Sequence, residues 1–220
     1  MGRTVLITGA GGGLGGAVVA AFEETGWRVV APARRAGAEI AGAETVVADL
    51  GDPDAVAAAA AIAAGDAEAP LRAVVCSAGG FAGDQPVADT PVDVFEAQFA
   101  LNLRTAYLTL QAALPHLVAA GGGAIVCVGS RAGQHPFAGA AGYCASKAAL
   151  HVLAEVVARE HRDDGIRCNT VVPGTIDTPA NRAAGMKGGV PPAEIARVIR
   201  FLCSDEAAAT TGATIPVYPP

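Results

Sequence analysis

Seven short apolar runs alternate along this chain with alanine-rich stretches, and this alternation limits the fold more than any other feature. Most of the runs, such as VLIT at 5–8 and AIVCVG at 124–129, are apolar on consecutive residues. A strand needs that pattern when both of its faces are buried, as in a parallel sheet covered by helices. Right-handed crossovers then make the sheet doubly wound, with ligands at the carboxyl ends of the strands. The strands are predicted at 5–8, 28–31, 45–48, 73–77, 124–129, 166–172 and 213–217, and the helices near 14–25, 53–64, 92–119, 142–161 and 191–203.

Length and composition predict a single domain over residues 1–220. The chain is 52% hydrophobic, which is enough for one sizeable core, and no linker, charge block or internal repeat divides it. It has no run of 18 or more uncharged apolar residues, and the opening MGRTVLITG enters a strand pattern directly rather than a signal peptide. We therefore expect a soluble, cytoplasmic protein without a membrane partner.

Charge and cysteine spacing argue against two classes of ligand. The formal net charge is −6, whereas binding to a phosphate backbone needs a basic face, so no nucleic-acid partner is expected. The five cysteines are odd in number and show no CxxC spacing, which favours buried free thiols over disulfides or a metal site. They are Cys76, Cys127, Cys144, Cys168 and Cys203.

Six glycines crowd the stretch LITGAGGGLGGAVVAAF, between the first predicted strand and the first predicted helix. A helix N-terminus offers unpaired N–H groups and partial positive charge to an anion, and a Cβ there would hold a pyrophosphate away. Two glycine registers compete, GxGxxG at 11–16 and TGxxxGxG at 8–15. We favour the second because it puts a glycine directly after the strand. A tight turn without a ligand is the alternative for an isolated loop, but both registers predict dinucleotide binding in a Rossmann-type α/β fold, with a seven-stranded parallel sheet and helices on both faces.

Ser130, Tyr143 and Lys147 form a second candidate constellation. In a helix, Tyr143 and Lys147 lie one turn apart on the same face. A nearby cation lowers the pKa of a phenol, ordinarily about 10, so that the phenol can exchange a proton near neutral pH. A YxxxK spacing alone also fits a solvated pair, but Ser130 ends the fifth strand, at the edge where ligands bind. The three residues together predict a catalytic site.

With both motifs in place, nearly the whole chain resembles the single-domain short-chain dehydrogenases/reductases. The resemblance implies one dinucleotide-binding and catalytic domain, with Asp49 in VADL bonding the adenine. The NNAG motif of that family appears here as CSAG at 76–79, so both of its asparagines are replaced. The implied cofactor-binding residues are Thr8, Gly9, Gly13, Leu14, Gly15, Arg34, Asp49, Leu50, Ala78, Gly79, Tyr143, Lys147, Pro173, Gly174 and Thr178.

The resemblance also implies the catalytic roles. Tyr143 would give a proton to a carbonyl oxygen, and Ser130 would donate a hydrogen bond to the same oxygen. Lys147 would keep the phenol acidic and hold the nicotinamide ribose. Asn102, in LNLRTAY, matches the active-site asparagine of the family and is expected to hold a water that resupplies protons. Thr178 stands where a threonine bonds the nicotinamide carboxamide.

The residues after the second strand predict the cofactor preference. The stretches CSAGGFAGD at 76–84 and TIDTPANR at 175–182 resemble the dihydropteridine reductase branch, whose members carry an aspartate after strand two for the NADH ribose. This chain has Ala33-Arg34-Arg35 there. A guanidinium binds a phosphate that a carboxylate would repel, so NADP(H) is favoured, with Arg34 on the 2′-phosphate. If both arginines are only solvated loop charges, NAD(H) is the alternative.

These features predict a carbonyl reductase or alcohol dehydrogenase that acts on a small carbonyl or hydroxyl substrate. The alternatives are a dihydropteridine reductase-like enzyme and a non-catalytic, dinucleotide-sensing regulator. Proteins of the regulator class typically lose the tyrosine or the lysine, both of which this chain keeps. Segments 80–90 and 175–190 are expected to shape the substrate pocket. Gln134, His135 and Phe137 are candidates to line it, with an exposed loop as the alternative.

The helix that contains Tyr143 predicts a homo-oligomer. Its sequence, AGYCASKAALHVLAEVVARE, has small or apolar residues on nearly every side, more than one sheet-facing stripe requires. In the resembled family, this helix and the preceding one, here 92–119, pair across a two-fold axis. We therefore expect a homodimer or homotetramer, with the terminal run ATIPVYPP as a further contact.

Overall fold

Seven parallel strands form a single sheet in the computed structural model, which describes residues 2–219. The strands follow the order β3-β2-β1-β4-β5-β6-β7, and every neighbouring pair is parallel. The order reverses between β1 and β4, and the carboxyl ends of these strands open the crevice where such folds bind ligands. The predicted doubly wound Rossmann-type α/β fold is confirmed. The strands are β1 Thr4–Thr8, β2 Arg28–Ala33, β3 Glu44–Val47, β4 Leu71–Cys76, β5 Gly123–Val128, β6 Ile166–Pro173 and β7 Thr214–Val217.

Helices cover both faces of the sheet. α1 and α7 pack on one face, and α2, α4 and α5 pack on the other, so that the sheet separates two apolar cores. The strand β1 shows why its sequence is apolar throughout, because Val5 and Ile7 face the α1–α7 layer whereas Leu6 faces the opposite layer. The helices are α1 Gly15–Glu23, α2 Pro53–Ala64, α3 Val92–Phe99, α4 Thr105–Ala119, α5 Ala141–Glu160, α6 Pro179–Ala183 and α7 Pro192–Cys203.

The helix predicted over 92–119 is interrupted by a π-helical turn at Ala100–Arg104. The N–H of Thr105, which follows the turn, donates to the carbonyl oxygen of Ala100, five residues earlier. A π turn inserts an extra residue into a helix and often occurs at a functional site. Here it separates α3 from α4 and carries the predicted active-site residue Asn102.

The cysteines and the helix lengths relate to two expectations from the sequence, namely buried free thiols and no membrane partner. All five cysteines are buried and free. Among residues 2–219, no cluster of histidine, cysteine or acidic side chains has the arrangement of a metal site. Within the same residues, every helix is too short or too polar to cross a bilayer.

Candidate active site

A cavity of about 1130 Å³ opens at the carboxyl edge of the sheet. All of the predicted site residues line it except Thr8 and Asn102. The sequence therefore located the walls of this cavity, because the ends of parallel strands and the loops that follow them converge at one edge.

Close backbone contacts explain two of the glycines between β1 and α1. Gly9 has a φ of +72°, and a Cβ on it would lie 2.6 Å from the backbone N of Ala78. A Cβ on Gly15 would lie 2.3 Å from the carbonyl oxygen of Gly9. The turn can therefore pass beside β4 and enter α1 only without these side chains.

The same contacts distinguish the two glycine registers. A Cβ on Gly13 would lie 2.6 Å from Cγ2 of Thr178, across the cavity. At Gly11 and Gly16, by contrast, no atom lies within 4 Å of the position that a Cβ would take. The positions that require glycine thus follow the register at 8–15, as the sequence analysis favoured.

The loop also has the features of an anion cradle. Gly13 and Leu14 line the cavity, and their backbone N–H groups donate no hydrogen bond within residues 2–219. They lie directly before the first residue of the nine-residue helix α1, whose dipole places partial positive charge there. The phosphates of a dinucleotide fit this combination of free N–H groups and absent Cβ atoms.

Thr8 and Asn102 support the cavity from behind. The Thr8 hydroxyl donates to the carbonyl oxygen of Val75 at 3.4 Å and accepts from the N–H of Ala78 at the same distance, which ties β1 to the end of β4. The Asn102 amide bonds both backbone groups of Gly80, because Oδ1 accepts from its N–H and Nδ2 donates to its carbonyl, each at 3.0 Å. The side chain of Asn102 thus fixes the loop after β4, and its predicted water remains a prediction.

Gln98 belongs to the same network and was not identified from the sequence. Its side chain is buried, and Oε1 accepts hydrogen bonds from the N–H of Ala82 at 3.1 Å and from Nδ2 of Asn102 at 3.4 Å. The only sequence signal was its position four residues before Asn102. That spacing does not reveal the role of Gln98 unless the loop at 80–82 is known to pack against this helix.

Lys147 lies at the centre of the site. Its side chain is 5% exposed, and Nζ donates to the carbonyl oxygen of Val128 at 2.9 Å. A Cβ on Gly79 would lie 3.1 Å from this Nζ and 2.7 Å from Oδ1 of Asn102, so three segments converge on one point. Burial lowers the pKa of Lys147 to about 8, and the nearby Cys127 thiol opposes that shift.

Tyr143 and Ser130 both line the cavity. Burial raises the pKa of Tyr143, and the neighbouring Ser130 hydroxyl opposes the rise. Lys147 does not contribute to this shift, and its expected role in keeping the phenol acidic stays a prediction. Ser130 also caps the turn that follows β5, because its Oγ accepts from the N–H of Ala132 at 3.2 Å.

His151 packs beneath the turn that carries Ser130. A Cβ on Gly129 would lie 2.4 Å from its Nε2, and a Cβ on Gly133 would lie 2.9 Å from its Cε1. The imidazole therefore fills the space that two glycines leave on either side of Ser130. Within residues 2–219, Nε2 of His151 is the one buried side-chain nitrogen or oxygen without a hydrogen-bond partner.

The far end of the cavity holds the predicted adenosine residues. Arg34 and Asp49 both line it, whereas Arg35 does not. Oδ1 of Asp49 accepts from the N–H of Gly51 at 2.9 Å. Arg34 is exposed and forms no ion pair within the described part of the chain. Its guanidinium is therefore free to bind an anionic group.

The opposite end of the cavity is aromatic. Phe81, His135 and Phe137 line it beside Tyr143, whereas Gln134 does not line it. The ring of Phe81 meets that of Tyr143 edge to face, with centroids 5.2 Å apart. Phe81 lies within the 80–90 segment that was expected to shape the pocket, although it was not singled out by itself.

Comparison with known proteins agrees with this geometry. The family model described as short chain dehydrogenase matches residues 3–187. The chain is 37% identical to the protein FixR of Bradyrhizobium diazoefficiens, over 98% of this chain and 85% of FixR. It is 33% identical to a 2,5-dichloro-2,5-cyclohexadiene-1,4-diol dehydrogenase of Sphingobium indicum and 34% identical to the L-xylulose reductase of Bos taurus. These two matches cover 98% of this chain, with 94% of the dehydrogenase and 95% of the reductase.

A solved structure shares the fold along nearly the whole chain. An oxidoreductase of the short-chain dehydrogenase/reductase family from Burkholderia thailandensis superposes with a TM-score of 0.88 and is 34% identical. The match covers 98% of this chain and 91% of the other.

Proposed function

Because the chain belongs to the short-chain dehydrogenase/reductase family of oxidoreductases, we propose that it is an NAD(P)H-dependent carbonyl reductase or alcohol dehydrogenase. Its substrate would be a small molecule with a carbonyl or hydroxyl group. The observation that carries the proposal is the convergence of Ser130, Tyr143 and Lys147 on one cavity whose other end is a glycine-lined anion cradle.

The side chains of this cavity suit acid–base chemistry at a carbonyl oxygen. A bound reduced nicotinamide would supply hydride to the carbonyl carbon. Tyr143 would donate its phenolic proton to the oxygen, and Ser130 would donate a hydrogen bond to that oxygen. Lys147, held by Val128, would place its ammonium where it binds the ribose hydroxyls and stabilises the phenolate.

The remaining cavity residues would bind the cofactor. The N–H groups of the glycine loop would hold the pyrophosphate, and Asp49 would bond the adenine. Arg34 favours NADP(H), because it lines the cavity without an ion-pair partner in the described residues and can bind the 2′-phosphate. Thr178 would donate to the carboxamide while its Oγ1 accepts from the N–H of Asn181.

We also propose a homodimer or homotetramer. The side of α5 that faces away from the sheet leaves Ala145, Val152 and Val156 exposed, with Val152 at 62%. A second copy of the same helix would cover this stripe across a two-fold axis. Because α5 also carries Tyr143 and Lys147, the assembly would hold the catalytic helix in place.

Two alternatives make different predictions. A dihydropteridine reductase-like enzyme would reduce a quinonoid dihydropterin in preference to simple ketones. A dinucleotide-sensing regulator would bind the cofactor and turn nothing over. The test is to follow the absorbance of reduced cofactor, with NADPH and NADH in parallel, against a panel of carbonyl compounds that includes a dihydropterin. We expect steady oxidation with at least one simple carbonyl compound; cofactor binding with no oxidation across the panel would favour the regulator.

A further inference from the structure

We infer that the substrate end of the cavity selects a ketone that carries an apolar ring, called a ring ketone below, or the matching secondary alcohol, over an open-chain polyol. This inference rests on the proposed function and adds a substrate class to it. It depends on the aromatic wall beside Tyr143 and on the shortage of free polar groups around that wall.

The wall consists of the rings of Phe81 and Phe137. Phe81 meets Tyr143 edge to face at 5.2 Å and an interplanar angle of 85°, and its centroid lies 6.1 Å from that of Phe137. Both phenylalanines line the cavity, yet they remain 52% and 53% exposed. Two large apolar rings beside the reactive phenol thus offer an open surface that an apolar ligand would cover.

The wall is held in place by backbone contacts. The N–H of Asp84 donates to the carbonyl oxygen of Gly139 at 2.7 Å, which joins the loop of Phe81 to the loop of Phe137. A Cβ on Gly83 would lie 3.1 Å from Cζ of Phe81, so the ring rests directly on the backbone. Asp84 has a φ of 120°, an unfavourable conformation that the surrounding contacts maintain. The surface therefore exists before a ligand arrives, which favours a rigid ligand of matching shape.

Few polar side chains line this end, and part of their hydrogen-bonding capacity is used within the chain. The Asn181 amide donates to the carbonyl oxygen of Ile176 at 2.8 Å, and the Arg131 guanidinium lies over the ring of Tyr218 at 5.4 Å. Ser130 and Tyr143 are needed at the carbonyl oxygen itself. Of the polar side chains that line this end, that leaves Thr175, His135 and the N–H groups of Arg131.

A polyol would lose more hydrogen bonds with water here than these few groups could replace. Each hydroxyl that is buried against an aromatic wall without a partner is destabilised relative to water. A ring ketone carries a single polar group, and that group is the one that Ser130 and Tyr143 bind. Among the relatives, one is named for the polyhydroxy compound L-xylulose and one for a compound with an apolar ring, and the wall favours a ring.

The reaction balances without another reactant. The carbonyl carbon gains a hydride from the reduced nicotinamide, which is oxidised, and the carbonyl oxygen gains the Tyr143 proton. The product is a secondary alcohol, and Tyr143 is reprotonated from solvent. Oxidation of the ring alcohol is the same step in reverse.

A binding experiment tests the substrate class separately from turnover. Acetophenone, whose carbonyl is attached to an apolar ring, represents the ketones that carry a ring, and L-xylulose represents the open-chain polyhydroxy ketones. Calorimetry would titrate each compound into the protein saturated with NADP⁺, or with NAD⁺ if only that cofactor binds, because neither ketone can be reduced in that complex. Turnover of both compounds is then measured with the matching reduced cofactor.

The two measurements separate the two proposals. We expect acetophenone to bind at least about tenfold more tightly than L-xylulose and to have the higher kcat/KM. Binding of acetophenone without any turnover would support the substrate class and contradict the proposed function. Turnover of L-xylulose with equal or tighter binding would support the proposed function and overturn the substrate class. If neither ketone binds and neither is reduced, the substrate class is also overturned.

Phe137→Ala tests the wall itself. Phe137 contacts Phe81 rather than Tyr143, so we expect about a tenfold loss of acetophenone affinity, with the affinity for NADP⁺ retained as evidence of correct folding. Phe201→Ala is the matched control, because Phe201 is 40% exposed on α7 and does not line the cavity. An equal loss of affinity for acetophenone and L-xylulose in Phe137→Ala, or no loss for either, would overturn the inference.

Discussion

Lys147 is a single residue whose burial is unfavourable for stability although its charge is needed in the proposed site. It is one of two lysines in the chain, and its ammonium is almost fully buried with one carbonyl partner, Val128. Burial of a charge is unfavourable unless the charge is paired, and this explains the lowered pKa. The site therefore holds a cation at a cost in stability, as expected where that cation has a catalytic role.

The lowered pKa predicts a pH dependence of stability that a Lys147→Met variant should lack. Below pH 8 both the folded and the unfolded chain keep the proton, so the folded state carries the full cost of burial. Between about 8 and the ordinary value of 10.5, the unfolded chain keeps the proton while the folded chain releases it, so the free energy of unfolding rises with pH. The rise should total about 3 kcal/mol.

The measurement is urea unfolding of both proteins at several pH values across this interval. The difference between wild type and Lys147→Met isolates the lysine, because thiols and phenols titrate in both proteins. Lys187→Met is the control, since Lys187 lies in an exposed loop. A difference that stays constant from pH 7 to pH 10.5 would contradict the buried cation.

The proposed role of Arg34 can be tested through the cofactor preference. If Arg34 binds the 2′-phosphate, Arg34→Ala would remove a charge-assisted contact worth roughly 1.5–3 kcal/mol. The KM for NADPH should therefore rise about 10- to 100-fold, with NADH use almost unchanged. Arg35→Ala is the control, because Arg35 does not line the cavity. A wild-type enzyme that already prefers NADH would refute the role of Arg34.

The site residues that the sequence predicted form a local pattern, whereas the residues that it missed depend on contacts with distant segments. Ser130, Tyr143 and Lys147 were identified from the sequence because their spacing suits proton transfer at the edge of the sheet where ligands bind. Gln98 and His151 did not, because each acquires its role through a contact with a segment far away in sequence, Gln98 with Ala82 and His151 with the turn at Gly129 and Gly133. No local pattern encodes such contacts.

Among the secondary-structure elements and their connections, the loop between β1 and α1 restricts its residue types most strongly. Gly15→Ala would place a Cβ within 2.3 Å of the carbonyl oxygen of Gly9, a backbone atom that cannot move away independently. We expect this variant to lose cofactor affinity by more than tenfold and to be less stable. Gly16→Ala is the matched control, because nothing lies within 4 Å of its Cβ and alanine favours the helix by roughly 1 kcal/mol. Isothermal titration with NADPH and thermal unfolding measure both effects, and equal tolerance of the two variants would contradict the loop geometry.

The elements themselves were largely predictable, with one exception. Apolar runs and alanine-rich stretches located all seven strands and the long helices because burial on two faces leaves a continuous signal. The π turn at Ala100–Arg104 left none, since it depends on how the ends of α3 and α4 pack rather than on local propensity. It carries Asn102, whose amide fixes the loop after β4, and so belongs to the site as much as to the helix.

At the scale of the whole molecule, the exposed stripe of α5 predicts assembly. Light scattering of the wild type at micromolar concentration should give a mass of at least twice 21.7 kDa. Val152→Glu would bring two carboxylates together across a two-fold axis and should shift the protein toward monomer and lower activity. Ile62→Glu is the control, because Ile62 is also exposed, at 41%, but lies on α2. A fully active wild-type monomer would show that the stripe has another role.

The central claim is that hydride is transferred in this cavity with Tyr143 as the proton donor, and isotope transfer tests it most directly. NADPH deuterated at the transferring position of its nicotinamide is incubated with a ketone substrate, and the alcohol is analysed by mass spectrometry. The wild type should place one deuterium on the carbinol carbon, and Tyr143→Phe should bind NADPH normally while forming this alcohol at least about a hundredfold more slowly. An unlabelled alcohol from the wild type, or a Tyr143→Phe variant that retains more than a tenth of the wild-type rate, would contradict the account.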